Sequence, residues 1–198
     1  MHRFAVVGSK DGEYIVSFDG NRICEGLSMP KAAQCVTQII SDSFCTWVDG
    51  GVCVMHAAGA LHGGGIVLFS GVSGSGKTSL ALEFSKYGAF VGDECAFLDA
   101  NKGTVWYEEF PFQLKANNEA LLSRFSRHQS LEVYSELYGA VFYLPLDAVA
   151  FQPMKREDDA AVRVIVFPHY CCEAEAMRIR KLPPTALPKH ILSSLMGA

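Results

Sequence analysis

Eight consecutive residues, Gly71 to Thr78, carry the clearest chemical pattern in the chain. They read Gly-Val-Ser-Gly-Ser-Gly-Lys-Thr and satisfy the spacing Gly-x-x-x-x-Gly-Lys-[Ser/Thr]. Glycines let successive backbone N–H groups turn inward around an anion, and the positive end of a following helix points to the same place. The pattern therefore predicts a cradle for the phosphates of a nucleoside triphosphate.

Within this loop, each residue type has an expected task. We expect Lys77 to be exposed and to reach the β- and γ-phosphates of ATP, and the Thr78 hydroxyl to ligate Mg²⁺. The alternative is a glycine-rich turn between a strand and a helix, with a solvent-exposed lysine. The residues predicted to bind the nucleotide are Gly71, Ser73, Gly74, Ser75, Gly76, Lys77, Thr78 and Ser79.

An acidic pair, Asp93-Glu94, follows Lys77 after 16 residues. One predicted helix and one predicted strand lie between, which can return the two acids to the γ-phosphate side of the cradle. One carboxylate could then hold Mg²⁺ while the other accepts the proton of a nucleophile. The alternative is a turn acid followed by a solvated glutamate. His56 ends an earlier extended run, where a single histidine is more often a satisfied polar residue than a catalytic one.

The elements around the loop are predicted from hydrophobic pattern. The unbroken apolar run 66–69 is typical of a strand buried on both faces. After the loop, 79–87 has the period of a helix with apolar points at Leu80, Leu82, Phe84 and Tyr87, and Gly88 is predicted to be its C-cap. Residues 89–92 and 95–98 are predicted strands, and Asn101-Lys102-Gly103 a turn before a returning strand at 104–110.

Farther from the loop the pattern is weaker. Strands are predicted at 4–7, 14–18, 22–24, 140–144, 149–151 and 162–167, and helices from Pro30 to Ile40 and over 187–195. Residues 155–159 are a charged loop. The stretch 116–138 has only a patchy helical period at Leu121, Leu122 and Phe125, so a mobile lid that faces substrate and an ordinary surface helix both fit it.

Composition excludes several classes. Of the 198 residues, 49% are apolar and 19% charged, with 17 basic against 21 acidic side chains and a net charge of −4. This excludes a mainly disordered chain and argues against a nucleic-acid or membrane-surface binder. No apolar run approaches the ~20 residues of a membrane span, and the N-terminus is too charged for a signal peptide. Seven scattered cysteines without a Cys-x-x-Cys spacing indicate buried free thiols in a reducing cytoplasm.

Two segments carry a resemblance to a known family. His56-Ala57-Ala58-Gly59-Ala60-Leu61 and the stretch GGGIVLFSGVSGSGKTSLALEFSKYGAFVGDECAFLD resemble the catalytic domain of the HPr kinase/phosphorylase superfamily. There, too, a histidine precedes the loop strand and the strand after the loop helix ends in an acidic pair. Looser matches at 111–115 and 165–170 extend the resemblance over roughly 52–195. The ATP-dependent phosphoenolpyruvate carboxykinases share the arrangement more distantly.

The resemblance implies a fold and roles for residues. It implies an α/β, mixed-sheet P-loop kinase fold of the phosphoenolpyruvate carboxykinase type over 51–198, with 1–50 either a small α+β region or a layer of the same domain. Asp93 would activate the acceptor hydroxyl, Glu94 would assist with the metal, and His56 would lie close to Asp93 and tune it. Lys115 would face phosphate or substrate, or be an ordinary surface lysine.

The chain also departs from the family. Its acidic pair is Asp-Glu instead of Asp-Asp, and alanine follows His56. The long N-terminal domain of true HPr kinases has no counterpart here, so we expect HPr to be a poor acceptor. The expected activity is transfer of phosphate from ATP, with Mg²⁺, to a hydroxyl, in particular serine, of a protein, peptide or small molecule.

Two other functions stay open at this point. A small-molecule P-loop kinase of the nucleoside-kinase type usually needs an arginine-rich lid, and Arg124 and Arg127 are the only nearby pair. A nucleotide-binding regulatory module with little turnover would need only the cradle. The acceptor, a reverse phosphorylase reaction and homo-oligomer formation are left undecided by the sequence.

Overall fold

The structure, a computed structural model, describes residues 4–8, 12–18, 20–28, 31–32, 35–36, 51–135, 139–169, 178–183 and 185. They form a mixed α/β fold that is rich in strands. The chain divides into two compact units. The first comprises Met1–Thr46 and Gln113–Leu144, and the second Trp47–Phe112 and Pro145–Ala198. The glycine-rich loop, His56 and the acidic pair all lie in the second unit.

Twelve strands and two α-helices are described. The strands are β1 (Phe4–Gly8), β2 (Tyr14–Phe18), β3 (Asn21–Leu27), β4 (Val52–His62), β5 (Gly65–Ser70), β6 (Ala89–Gly92), β7 (Cys95–Asp99), β8 (Thr104–Tyr107), β9 (Phe112–Lys115), β10 (Leu131–Ser135), β11 (Gly139–Leu144) and β12 (Val162–Val166). The helices are α1 (Lys77–Phe84) and α2 (Glu119–Arg124). Single 3₁₀ turns cover Ser85–Tyr87, Leu146–Ala148 and Arg156–Asp158.

The first unit contains two small sheets among its described residues. Strands β1, β2 and β3 form one of them in sequence order, as the predicted strands 4–7 and 14–18 require. A second sheet has the order β10-β11-β9. Lys31, Ala32, Cys35 and Val36 are helical, which agrees with the helix predicted after Pro30 for the residues that are described there.

The second unit is built on one mixed sheet. Its order is β12-β5-β4-β7-β8, with β6 also paired to β4. Strands β12 and β5 are parallel, whereas β4 is antiparallel to β5, β6 and β7, and β7 is antiparallel to β8. A mixed sheet was expected because a buried strand feeds the loop while a hairpin follows the acidic pair, and this arrangement is present.

Strand β5 lies between β12 and β4 in this sheet and is buried along its whole length, as its apolar run predicts. Ile66 and Leu68 belong to a core cluster with Met55 and Val91 on neighbouring strands. The ring of Phe69 instead contacts Phe84 of α1, with ring centroids 5.8 Å apart. The core therefore fixes the end of β5, from which the glycine-rich loop departs.

The end of α1 differs from the prediction. Gly88 has φ −170° and ψ −119°, so it is not the left-handed C-cap that its position suggested. Crowding explains the glycine instead, because a Cβ atom there would overlap the carbonyl oxygen of Leu61. The prediction that Tyr87 is an apolar point of the helix is also wrong. The residue is 76% exposed and lies in the 3₁₀ turn that follows the helix.

Two further predictions fail where hydrophobic pattern was weak. Among the residues of the patchy stretch 116–138 that the structure describes, 116–135, only α2 is helical, and 131–135 is a strand because it pairs antiparallel with β11. Leu121 and Phe125 are both 7% exposed, as a packed helix requires, while the lid stays a prediction. Residues 149–151 form no strand, and Phe151 makes only an isolated bridge to Phe90. The helix predicted at 187–195 lies outside the described residues.

The cysteines are less buried than predicted. Cys24, Cys35, Cys53 and Cys95 are free thiols, but only Cys95 is buried and the others are partly exposed. Cys45, Cys171 and Cys172 lie outside the described residues. None of the helices among the described residues has the length and apolarity that crossing a bilayer requires.

Candidate functional site

The glycine-rich loop connects the last residue of β5, Ser70, to the first residue of α1, Lys77. Its glycines have backbone conformations that side chains disfavour: φ is +151° at Gly71, +82° at Gly74 and +95° at Gly76. Gly76 is the residue before the helix, so the chain turns directly into α1. The three glycines of the predicted loop thus occur where the backbone requires them.

Conformation, and not crowding, explains two of these glycines. A Cβ atom at Gly74 or Gly76 would have nothing within 4 Å. A Cβ at Gly71 would lie 3.2 Å from the Ser75 hydroxyl oxygen. That hydroxyl is the one buried side-chain oxygen or nitrogen among the described residues that lacks a hydrogen-bond partner. Burying an unpaired hydroxyl is costly, and a polar ligand in the loop would relieve that cost.

Lys77 is the largest local departure from expectation. Its side chain was predicted to be exposed, yet the residue is only 6% exposed. Its ammonium group donates a hydrogen bond to the Val72 carbonyl oxygen at 3.2 Å, and the Ser75 backbone N–H donates to the same oxygen at 3.2 Å. The lysine side chain therefore folds back onto its own loop. The Val72 carbonyl there replaces part of the hydration that the buried ammonium group has lost.

Thr78 and Asp93 meet although 15 residues separate them. The Thr78 hydroxyl oxygen is 3.0 Å from one carboxylate oxygen of Asp93 and 3.2 Å from the other. The hydroxyl donates to the carboxylate, which is an acceptor when ionised. The first turn of α1 and the residue after β6 are thereby joined, as the predicted return of the acids to the loop requires.

The acidic pair interrupts a strand without changing its register. Gly92 pairs with Gly59 and Cys95 pairs with His56, both on β4, so three positions separate the pairs on each strand. Between them, Glu94 has φ +67°, a left-handed conformation that is rare for a residue with a side chain. Such strain is typical of functional sites, where the surrounding structure holds it in place.

Asp93 is the most perturbed group of the site. It is 4% exposed, and burial raises the pKa of its carboxyl from 3.8 to about 6, helped by the nearby negative charge of Glu94. The Thr78 hydrogen bond and the charge of His56 act in the opposite direction and limit the rise in this pKa. A carboxylate with a pKa near 6 is mostly ionised at neutral pH and is still basic enough to accept a proton.

His56 pairs with Glu94. Its Nε2 atom is 3.0 Å from a Glu94 carboxylate oxygen, and the two side chains are 30% and 34% exposed. The sequence predicted that His56 lies close to Asp93 and tunes it. The direct contact is with Glu94, while the charge of His56 lowers the pKa of Asp93. Because both side chains are partly exposed, this contact orients Glu94 but contributes little to the stability of the fold.

Sequence reasoning missed Tyr107, on β8. Its ring packs against the backbone of Gly92 and Gly59, because a Cβ at either glycine would overlap the ring. Its hydroxyl donates a 3.3 Å hydrogen bond to the carbonyl oxygen of Ala57. Burial and the charge of Asp93 raise the pKa of Tyr107 well above its usual value. Two glycines inside buried strands were the available signal, since they mark a close approach.

The remaining candidates lie at the margin or elsewhere. Ser73 is exposed in the loop, and Ser79 is partly exposed in the first turn of α1. Lys115 lies at the end of β9, where Gln113–Leu144 belong to the first unit, and it is partly exposed. No group of three His, Cys, Asp or Glu side chains among the described residues is arranged to hold a metal ion. A P-loop magnesium ion takes most of its ligands from phosphates and water, so it needs fewer protein ligands.

The second unit thus assembles four groups with complementary chemistry. A turn of left-handed glycines precedes a helix, a lysine is held over that turn, and a hydroxyl at the helix start bonds to a buried acid of raised pKa. Comparison with known proteins adds no further constraint: no family model matches the chain, and no curated protein matches it.

Proposed function

We propose that this protein is an ATP- and Mg²⁺-dependent phosphotransferase that phosphorylates a hydroxyl group, in particular serine, of a protein, peptide or small molecule. The observation that carries the proposal is the 3.0 Å hydrogen bond between Thr78, at the start of α1, and the buried Asp93. It joins the phosphate loop to a candidate general base. A protein that only binds nucleotide can use an acid there for Mg²⁺, whereas a phosphotransferase needs in addition a base that accepts the proton of the acceptor.

The donor end of the reaction belongs to the loop. Backbone N–H groups at the start of α1 favour an anion through hydrogen bonds and the helix dipole. Lys77, now bonded to the Val72 carbonyl, would exchange that neutral acceptor for phosphate oxygens, which are stronger partners for an ammonium group. The unpaired Ser75 hydroxyl supports the same use of the loop.

The donor set also fits Mg²⁺. The Thr78 hydroxyl and the Glu94 carboxylate are oxygen ligands, which this ion prefers. Once bound, Mg²⁺ would supply neutralisation of the charge that develops on the phosphates. Glu94 is held by His56 at 3.0 Å, so its side chain is oriented before any metal enters.

The chemical step follows from Asp93. The acceptor oxygen would attack the γ-phosphorus while its proton passes to an Asp93 carboxylate oxygen, and the bond from that phosphorus to the β-phosphate oxygen would break to release ADP. The raised pKa of Asp93 suits this task at neutral pH. The proposal includes the fold, a P-loop kinase fold of the phosphoenolpyruvate carboxykinase type, which the parallel pair β5–β12 and the antiparallel β4 support.

The test uses the whole chain with labelled ATP and Mg²⁺. Calorimetry should show that Lys77→Ala weakens ATP·Mg²⁺ binding by about tenfold or more, because a charged hydrogen-bond donor is lost. Transfer of the labelled γ-phosphate to proteins, peptides and metabolites of a lysate should occur with the wild type and not with Asp93→Asn. Lys86→Ala and Asp147→Asn, which change exposed residues, are the matched controls and should behave as the wild type.

Three results would contradict the proposal. Equal ATP affinity of Lys77→Ala and wild type would remove the loop from nucleotide binding. Tight nucleotide binding with no transfer to any lysate fraction would favour the regulatory module instead. Label that appears on nucleosides alone would favour a small-molecule kinase of the nucleoside-kinase type.

A further inference from the structure

Two cysteine thiols meet in the first unit, away from the residues of the proposed reaction. Cys24 lies on β3 and Cys35 on the helical segment that follows, 11 residues later. Their sulfur atoms are 3.0 Å apart. A disulfide bond has an S–S length of about 2.05 Å, so the sulfurs need to approach by only about 1 Å more. A small movement of the two side chains would therefore bring the sulfurs within bonding distance.

The two thiols are also accessible and chemically distinct. Both residues are partly exposed, whereas Cys95 is buried at 3% exposure. Burial and the neighbouring Cys24 raise the pKa of Cys35 to about 11. With this pKa Cys35 keeps its proton at neutral pH, and either thiol can donate the S–H···S hydrogen bond between the two sulfurs. The raised pKa of Cys35 makes Cys24 the sulfur to react first and Cys35 the thiol that follows.

We propose that Cys24 and Cys35 are a modification site that forms a reversible intramolecular disulfide when the protein meets a hydroperoxide. Cys24 gives up its proton and its sulfur attacks one peroxide oxygen, the O–O bond breaks and a sulfenic acid forms, while the departing oxygen takes up that proton and leaves as water or an alcohol. The sulfur of Cys35 then attacks the Cys24 sulfur, the S–O bond breaks, and the Cys35 proton leaves with the hydroxide as water. Two thiols are oxidised and one peroxide is reduced, and a thiol reductant restores the pair.

The bond would tie β3 to the helical segment that contains Cys35. Both cysteines are free thiols in the structure. A reversible link of this kind changes the first unit alone and does not depend on the proposed phosphotransfer. Cys53 makes a suitable comparison, since it is partly exposed as well and burial raises its pKa too.

The test is peptide mapping of the folded full-length protein after treatment with a few equivalents of hydrogen peroxide and blocking of free thiols. We expect one linked peptide that joins Cys24 to Cys35, lost on reduction, and formed about tenfold or more faster than in urea, because the fold holds the sulfurs together. Cys53→Ser should leave this link unchanged. Cys24→Ser should abolish it and leave Cys35 open to alkylation.

Several outcomes would overturn the proposal. One is oxidation of Cys24 to sulfinic or sulfonic acid without any linked peptide. Another is a link that forms equally fast in urea, which would show that the fold contributes nothing. A third is a set of scrambled links in which Cys24 joins other cysteines as often as it joins Cys35. The wild-type measurement needs no variant to fold, so each result is decisive.

Discussion

The glycine-rich loop, 71–78, and the acidic segment at Asp93-Glu94 take part in the same proposed reaction but are built differently. The loop is contiguous, and its shape comes from glycines that adopt left-handed backbone conformations in open space. The acidic segment depends on distant strands: β4 fixes its register and Tyr107 fills the space behind it. The conformation of the loop is therefore determined by the local sequence, whereas that of the acidic segment is determined by the sheet around it.

The difference extends to the charges. Lys77 bonds within its own loop, to Val72, five residues away. Asp93 owes its raised pKa to burial by the surrounding unit and to Glu94, while Thr78 and His56, from other elements, oppose the rise. In the proposed reaction, the loop would set what is bound, whereas the fold of the second unit would set the reactivity of Asp93. Each prediction below separates these two contributions.

The largest effect is expected when reactivity is removed and binding kept. Asp93→Asn retains size and one acceptor for Thr78 but removes the base, so phosphate transfer should fall by ~10²-fold or more while ATP·Mg²⁺ still binds. Lys77→Ala should instead reduce binding. Parallel calorimetry and transfer assays measure the two. If Asp93→Asn keeps transfer within a few-fold of the wild type, Asp93 is not the base.

The same substitution should stabilise the fold in a pH-dependent manner. Because the pKa of Asp93 is about 6 in the folded state and 3.8 ordinarily, the neutral form is favoured by folding. Stability from this group is complete below pH 3.8 and is lost as the pH rises through about 6. At pH 7, Asp93→Asn should therefore be more stable than wild type, by at most about 3 kcal/mol. Urea unfolding at pH 7 and pH 4 checks this, since the difference should shrink at pH 4.

Two glycine substitutions distinguish the cost of an unfavourable backbone conformation from the cost of steric overlap. Gly92→Ala forces a Cβ into the Tyr107 ring and should lower the unfolding free energy of the second unit by about 1–3 kcal/mol. Gly76→Ala meets no neighbour but is disfavoured at φ +95°, so it should cost roughly 1 kcal/mol and mainly impair ATP binding. Urea unfolding and calorimetry of both variants measure this. Equal losses of stability would contradict the distinction.

The smallest effect is a shift in the pH dependence of transfer. Wild-type activity should decline as the pH falls through about 6, because Asp93 becomes protonated. Glu94→Gln removes a charge that raises this pKa, so the decline should move to lower pH. His56→Gln removes a charge that lowers the pKa and should move the decline upward. Rates at saturating ATP and Mg²⁺ across pH 4.5–8 measure both, and shifts in the same direction would contradict this account.

Much of the fold was predictable where patterns were strong. The buried strand 66–69 and the hairpin after the acids were predicted correctly, because the apolar run and the turn are unambiguous. The prediction failed at 131–135, where pairing with β11 decides the conformation, and at Gly88, where a carbonyl oxygen leaves no room for a side chain. In both cases the deciding partner is remote in sequence.

By itself, the sequence determined the position and conformation of the glycine-rich loop. Glycine spacing specifies left-handed turns, and the lysine and threonine follow at the start of a helix, so a contiguous pattern was sufficient. Only the tertiary structure decided three contacts. Lys77 bonds within its own loop, His56 bonds to Glu94, and Tyr107 packs against the strand that leads to Asp93. The physical reason is that burial and strand register, which set these contacts and the pKa of Asp93, arise from residues that no local pattern connects.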